Sequence, residues 1–241
     1  GVPYFNQALD LATIGDGRAF LGSGLNLENR YMAATLGAGA ADTWNPGVGV
    51  YRLVGGVNNL GFDGADNVLT GNNFLQIGPQ RNMVVGASTN TGNGVFIRNS
   101  NNFTGGTQVT EGTILYIETG GAPGGQTPLG SGAVEIYGQL RVQSSQGSLW
   151  NANTSAATNA INLRPGGLVY LIDGNINGTG GNMVAGNQGR WGDTVGIDLN
   201  GGQFRFDGAL NWNSVETIGN VTARKGSIIT VARNSPPFPR Q

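Results

Sequence analysis

The chain contains no cysteine and no histidine. The first absence excludes disulfides and thiolate metal sites. The second removes the usual general base near neutral pH and the commonest metal ligand. Ser-His-Asp, Cys-His and histidine-zinc chemistry are therefore excluded within these 241 residues. Charge is scarce too: charged residues make up 11%, and 13 basic against 14 acidic side chains leave a net charge of -1. The arginines and the single lysine, Lys225, are scattered singly, which gives no electrostatic footprint for nucleic acid or for an anionic membrane. No run approaches the ~18 consecutive apolar residues of a membrane span, and the opening GVPYFNQALD lacks the basic and apolar regions of a signal peptide. A start at Gly1 rather than Met suggests a processed product or a piece of a longer precursor, with any export signal outside it.

What is abundant is glycine, with 44 residues, accompanied by many asparagines. Both tolerate positive φ, so frequent tight reversals are expected in place of long helices. Collagen is excluded, because glycine does not recur at every third position. Disorder is disfavoured because hydrophobic residues reach 38% and fall into well-spaced, strand-like runs.

Those runs share one grammar. In VTEGTILY, Val109 precedes Gly112, and Ile114 and Tyr116 follow it. In VEIYGQLRV, Val134 and Ile136 precede Gly138, and Leu140 and Val142 follow. INLRPGGLVYL, GIDLNGGQFRF and the looser VTARKGSIITV repeat the pattern around Gly167, Gly202 and Gly226. Apolar and polar residues alternate in each half, so each half is a short strand with one buried face. The glycine intervals of 26, 29, 35 and 24 residues suit the coils of a solenoid with loops of differing length at its corners. Antiparallel hairpins are the alternative, and NGG at 200 to 202 suits one. The one-glycine linker of VEIYGQLRV favours a parallel β-solenoid, since a lone residue bends a strand more readily than it reverses it. Stacking also satisfies most backbone groups without charge, and corner asparagines are expected to pair in ladders along the axis. Coils of ~25 residues rising ~4.8 Å each give about nine coils and a rod of roughly 45 Å. Residues 1-95 read as less regular coils of the same solenoid, in which a short helix over 28-34 is disfavoured by flanking glycines. Residues 96-233 carry the regular repeats. NSPPFPRQ, 234-241, reads as an edge blocker or linker, because proline cannot join a ladder internally.

NNFTGGTQVTEGTILYI followed by PLGSGAVEIYGQLRV resembles the autotransporter-associated β-strand repeat of bacterial surface proteins. The matching positions are Phe103, Thr104, Gly105, Gly106 and Thr107, then Gly112, then Leu129, Gly130, Ser131 and Gly132. Residues 190 to 231 look like a further form of the repeat found in very large surface proteins. The resemblance implies a secreted, right-handed parallel β-helix acting as a stalk, adhesin scaffold or surface-layer component, and it carries over no catalytic residue. The chain departs from the simplest such protein in showing neither a membrane-anchoring barrel nor an effector domain.

Parallel β-helices also carry polysaccharide lyases and glycoside hydrolases, which makes the acidic and basic residues candidates for such chemistry. Asp63 and Asp66 in GFDGAD have the chemistry of a calcium site or a carboxylate pair, but turn residues with local backbone hydrogen bonds are the simpler reading. Asp193, Asp198 and Asp207, and the pairs Arg190-Asp193 and Arg205-Asp207, are read as solvated strand residues ahead of lyase groups. Trp44, Trp150, Trp191 and Trp212 either stack on sugars or pack beneath loops, and packing is favoured. Triplets at Asn102, Asn153, Asn177 and Asn220 arise readily in such a composition and are assigned no modification. The expectation is a non-enzymatic extracellular structural unit of the bacterial cell surface, without cofactor or metal. It is expected to associate with itself or with neighbouring segments of a precursor, with surface polysaccharide as a further partner. A carbohydrate-active enzyme or binding module of the same fold is the alternative.

Overall fold

The computed structural model describes residues 3-24, 28-79, 94-118, 127-143, 147-149, 160-172, 190-208 and 214-233. The residues 234-241, Trp150, Trp212, Asn153 and Asn177, on which expectations were placed, lie outside these. Strands dominate, and the helical element among the described residues is one turn of 3-10 helix, Leu11–Thr13. A nine-stranded sheet runs, in spatial order, through Tyr4–Phe5, Asn29–Tyr31, Leu60–Phe62, Gly94–Ile97, Ile114–Ile117, Gln139–Val142, Leu168–Ile172, Gln203–Gly208 and Ile228–Arg233. An eight-stranded sheet runs through Leu21–Ser23, Val50–Gly56, Phe74–Ile77, Thr107–Val109, Val134–Ile136, Ile161–Leu163, Ile197–Leu199 and Val221–Ala223. Spatial order follows chain order in both sheets, and every strand pairs in parallel with its equivalent one coil away. The chain is therefore a right-handed parallel β-helix, whose longer sheet, at ~4.8 Å per step, extends about 38 Å.

Each strand-glycine-strand unit read from the sequence contributes its first half to the shorter sheet and its second half to the longer one. Val134–Ile136 and Gln139–Val142 show why. Val134, Ile136, Leu140 and Val142 are wholly buried, while Glu135, Gln139 and Arg141 between them are half-exposed. Alternation thus directs two short strands toward one interior, and a corner at Tyr137 and Gly138 turns the chain between the sheets. In INLRPGGLVYL the corner is made by two glycines with different tasks. Gly166 holds φ +84, in the left-handed region, with open space where a Cβ would stand. Gly167 has an ordinary φ, but a Cβ there would collide with the Ile136 carbonyl of the preceding coil. The left-handed residue of this pair is hence Gly166, one position earlier than the spacing alone indicates.

The core is a set of columns running the length of the solenoid. One inner column passes through Leu21, Leu53, Ile77, Val109, Ile136, Leu163, Leu199 and Ala223. Another passes through Phe5, Tyr31, Phe62, Ile97, Ile117, Val142, Leu171, Phe206 and Val231. The repeat residues Phe103 and Leu129 are both fully buried, and the Ser131 N–H donates to the Phe103 carbonyl at 3.1 Å, so the Leu-Gly-Ser-Gly corner of one coil rests on the Phe-Thr-Gly-Gly start of the coil before.

Two features depart from expectation. The early coils join the same two sheets but add a two-stranded sheet of Leu9–Asp10 and Leu36–Gly37, whose residues offer too short an alternation to be read. Asparagines serve the backbone more than one another. Asn101 Oδ1 accepts the Leu69 N–H at 3.1 Å and its Nδ2 donates to the Pro128 carbonyl at 3.2 Å, filling gaps left where corners interrupt the ladder. Its contact with Asn99 lies within one coil. A side-chain amide matches a backbone amide in geometry, so an irregular corner captures it before a neighbouring asparagine does.

Candidate functional site

The outer face of the longer sheet concentrates the polar chemistry of the molecule. Residues Arg30, Phe96, Tyr116, Arg141, Tyr170, Arg205 and Thr230 occupy one outer column, because their strands pair in that register. Phe96 and Tyr116 stack with ring centroids 4.2 Å apart, near the inter-strand spacing. The Arg98 guanidinium lies 4.6 Å from the Phe96 centroid, and that of Arg205 lies 4.9 Å from the Tyr170 centroid. Arg141 sits between Tyr116 and Tyr170, at 5.4 and 5.7 Å.

A charge network crosses this column. Arg98 bonds Glu28 at 2.7 and 3.1 Å, Asp63 at 3.1 Å and Glu118 at 2.7 Å. Arg30 joins Glu28 at 3.0 Å and Asp63 at 2.7 Å, and Gln143 donates to Glu118 at 2.9 Å. Farther along, Asp207 is buried and receives Arg205 at 2.7 and 2.8 Å and the Tyr170 hydroxyl at 2.6 Å. The Arg98 hydrogen bond holds Glu28 below the usual carboxylate range against the opposing effect of burial. Burial pushes Asp207 up, but the bonds from Arg205 and Tyr170 outweigh it and leave that carboxyl lowered. Burial and the Asp207 bond both push Tyr170 up.

These shifts set a pH profile. A carboxylate with a depressed folded pKa contributes stability above its unfolded pKa, and loses it as pH falls through the folded value. Glu28, Asp207 and Asp42 all shift in that direction. Tyr31 and Tyr170 are raised, so their contribution is full below the unfolded value and is lost as pH rises through the folded one. With neither histidine nor cysteine, stability is expected to stay flat between about pH 5 and 8, and to fall below about pH 4 and above about pH 10. Urea midpoints measured across that range check this, and a step near neutral pH would contradict it.

Asp63 joins Arg30 and Arg98 of adjoining coils, and Asp66 accepts the Ser100 N–H at 2.8 Å. Neither makes the local turn bond expected of it, because the parallel stack brings donors from the next coil closer than those within the loop. Asp198 faces outward and meets Arg224 at 3.1 Å. Arg205 and Asp207 do pair, although Asp207 is buried rather than solvated. Arg190 is wholly buried and donates to the Gly147 carbonyl at 2.9 Å. Trp191 is buried, with Nε1 donating to the Val195 carbonyl at 2.8 Å, whereas Trp44 stands 69% exposed. Among the described residues no group of three or more acidic side chains converges to hold a metal ion, and no helix is long and apolar enough to cross a membrane.

The last coil is the second notable surface. Ile229 continues the column of Phe204 and Val169, and Val231 that of Phe206 and Leu171. Val169 and Leu171 are fully buried, but Ile229 is 55% and Val231 74% exposed. Val221 and Ile228 are exposed beside them. Inner columns that are closed through the middle of the stack therefore reach the last described coil as exposed apolar side chains. The fold defines a parallel β-solenoid. No protein-family model, curated protein or solved structure matches the chain.

Proposed function

We propose that the chain is a non-enzymatic, extracellular structural β-solenoid: a building unit of a bacterial cell-surface stalk, fibre, sheath or adhesin scaffold of the autotransporter-passenger kind. The observation that carries this reading is the exposure of two core-type side chains, Ile229 and Val231, on the last described coil. Such exposure is unfavourable, and a further layer of parallel strand, from the same chain or from a second copy, relieves it. The repeat resemblance and the low charge fit the same role. Sedimentation across a wide concentration range, with electron microscopy of the native material, tests it. The expected result is concentration-dependent assembly into a filament or layer, and a strictly monomeric particle throughout would remove the self-association.

A second reading, a carbohydrate-binding or carbohydrate-active module, rests on Arg141. Its Nε is buried without an acceptor, and its guanidinium lies between two tyrosine rings, an arrangement that suits a carboxylate-bearing sugar. Incubation with acidic and neutral polysaccharides separates the readings. Reproducible cleavage would displace the scaffold role, and retention lost in Arg141→Gln would add a binding function to it.

A further inference from the structure

We propose that the rungs Gln139–Val142, Leu168–Ile172 and Gln203–Gly208 form one binding surface for a carboxylate-bearing polysaccharide, whose chain runs along the solenoid axis from Arg141 to Arg205. This rests on the carbohydrate-binding reading and extends it, adding a second contact, a direction and a length to the site.

The sequence writes one outward pair twice. QLRV at 139 to 142 and QFRF at 203 to 206 alternate, so Gln139 with Arg141, and Gln203 with Arg205, stand on the outer face while Leu140, Val142 and Phe204 are buried. The intervening strand, paired in register with both, places Leu168 between the two glutamines and Tyr170 between the two arginines. All six side chains are half-exposed. The two arginines therefore stand two rungs apart, ~9.6 Å along the axis.

Arg141 is what distinguishes this surface from the rest of the face. Arg30, Arg98 and Arg205 each meet a carboxylate, whereas Arg141 makes no hydrogen bond or ion pair among the described residues, and its Nε is buried without an acceptor. Its guanidinium lies 5.4 Å from the Tyr116 ring centre and 5.7 Å from that of Tyr170. Rings on both sides take up the faces of the planar group, which leaves its in-plane N–H donors as the part open to a ligand. A carboxylate matches that fork with two parallel bonds, and a lone hydroxyl does not. Arg205 is the lesser contact, because Asp207 takes its Nε and Nη2 at 2.7 and 2.8 Å and leaves Nη1.

Polymer geometry sets the axis. In an extended 1,4-linked ribbon successive rings point to opposite edges, so carboxylates on one edge recur at every second ring. That recurrence is close to the separation of Arg141 and Arg205, which lays the sugar chain across the strands rather than along one of them. Charge sets the direction. On the other side of Tyr116 the face carries Glu28, Asp63 and Glu118 against Arg30 and Arg98, three carboxylates to two guanidiniums, an excess that repels an acidic chain. Toward Arg205 the one buried carboxylate, Asp207, is matched by that arginine.

Oligomers of mannuronate and their carboxyl-reduced forms serve as probes, with affinity read by titration calorimetry on the whole chain. The dimer offers one carboxylate to each edge, and the trimer two to the same edge. The trimer is therefore expected to bind about tenfold more tightly than the dimer. Carboxyl reduction of the trimer is expected to cost about tenfold or more, and Arg141→Met, which keeps an unbranched side chain between the rings, a similar factor. Circular dichroism confirms that the variant is folded, and it should no longer distinguish the acidic trimer from the reduced one. Unchanged trimer affinity in Arg141→Met would overturn the site, leaving carbohydrate binding elsewhere on the chain. Equal binding of acidic and reduced trimers by the unmodified chain, a measurement that needs no variant, would do the same. Equal affinities for dimer and trimer would overturn the two-arginine axis. Retention of neutral polysaccharides without binding of the trimer would overturn the acidic site and keep the broader reading; absence of binding to every polysaccharide would remove both.

Discussion

Replacing Arg98 with methionine is expected to cost about 3 kcal/mol of stability at neutral pH, the scale for removing one partner from a poorly solvated charge group. The substitution keeps the aliphatic volume over Phe96 but withdraws the cation shared by Glu28, Asp63 and Glu118. Arg30 remains to offset Glu28 and Asp63. Glu118 keeps its bond from Gln143 but loses its arginine. Three carboxylates, beside the strands Asn29–Tyr31, Leu60–Phe62 and Ile114–Ile117, then share one cation fewer. The expected signature goes beyond magnitude, because protonation relieves the resulting repulsion. The difference between variant and parent should shrink as pH falls toward about 4, where carboxylates begin to take up protons. Urea unfolding of both proteins at neutral and acid pH measures it. A penalty equal at both pH values would mean that Arg98 contributes by packing on Phe96 rather than by charge.

Alanine at Gly167 is expected to be far more damaging than alanine at the adjacent Gly166, at about 3 kcal/mol or more, where overpacking allows no relaxation. The added methyl would meet the Ile136 carbonyl, with the Arg164 carbonyl 3.0 Å away. The Arg164 N–H donates to that same Ile136 carbonyl at 2.9 Å, so moving it opens the contact between two coils. Alanine at Gly166 meets no atom and pays only for its left-handed φ, about 1 kcal/mol. Adjacent glycines thus give a large and a small effect for different reasons. Thermal unfolding of the two variants tests the contrast, and equal losses would show that backbone conformation alone governs the corner.

The repeat was legible because it is written in local terms. Alternation in VEIYGQLRV identifies two short strands, and the glycine between them identifies the corner, so the strand pairs, the parallel stack and the approximate coil number follow from neighbouring residues. The charge network was not legible. Glu28 and Arg98 are 70 positions apart and meet only because intervening strands place them on one outer face. The lengths of the inserted loops decide which residues become neighbours, and no spacing rule predicts those lengths. Asp63 shows the same limit: its loop suggests a local turn, while its partners come from coils on either side.

The parallel order of the sheets also has a mechanical consequence. The first and last strands lie at opposite ends of the stack, and the inter-strand hydrogen bonds run nearly along its axis. A tensile load drawn through those ends meets one rung at a time rather than many in shear. Yielding would begin at the terminal coil and proceed coil by coil, each coil of ~25 residues releasing up to about 85 Å of chain. A stalk built in this way would lengthen in steps under force, and the coils still stacked would keep the shape they had before.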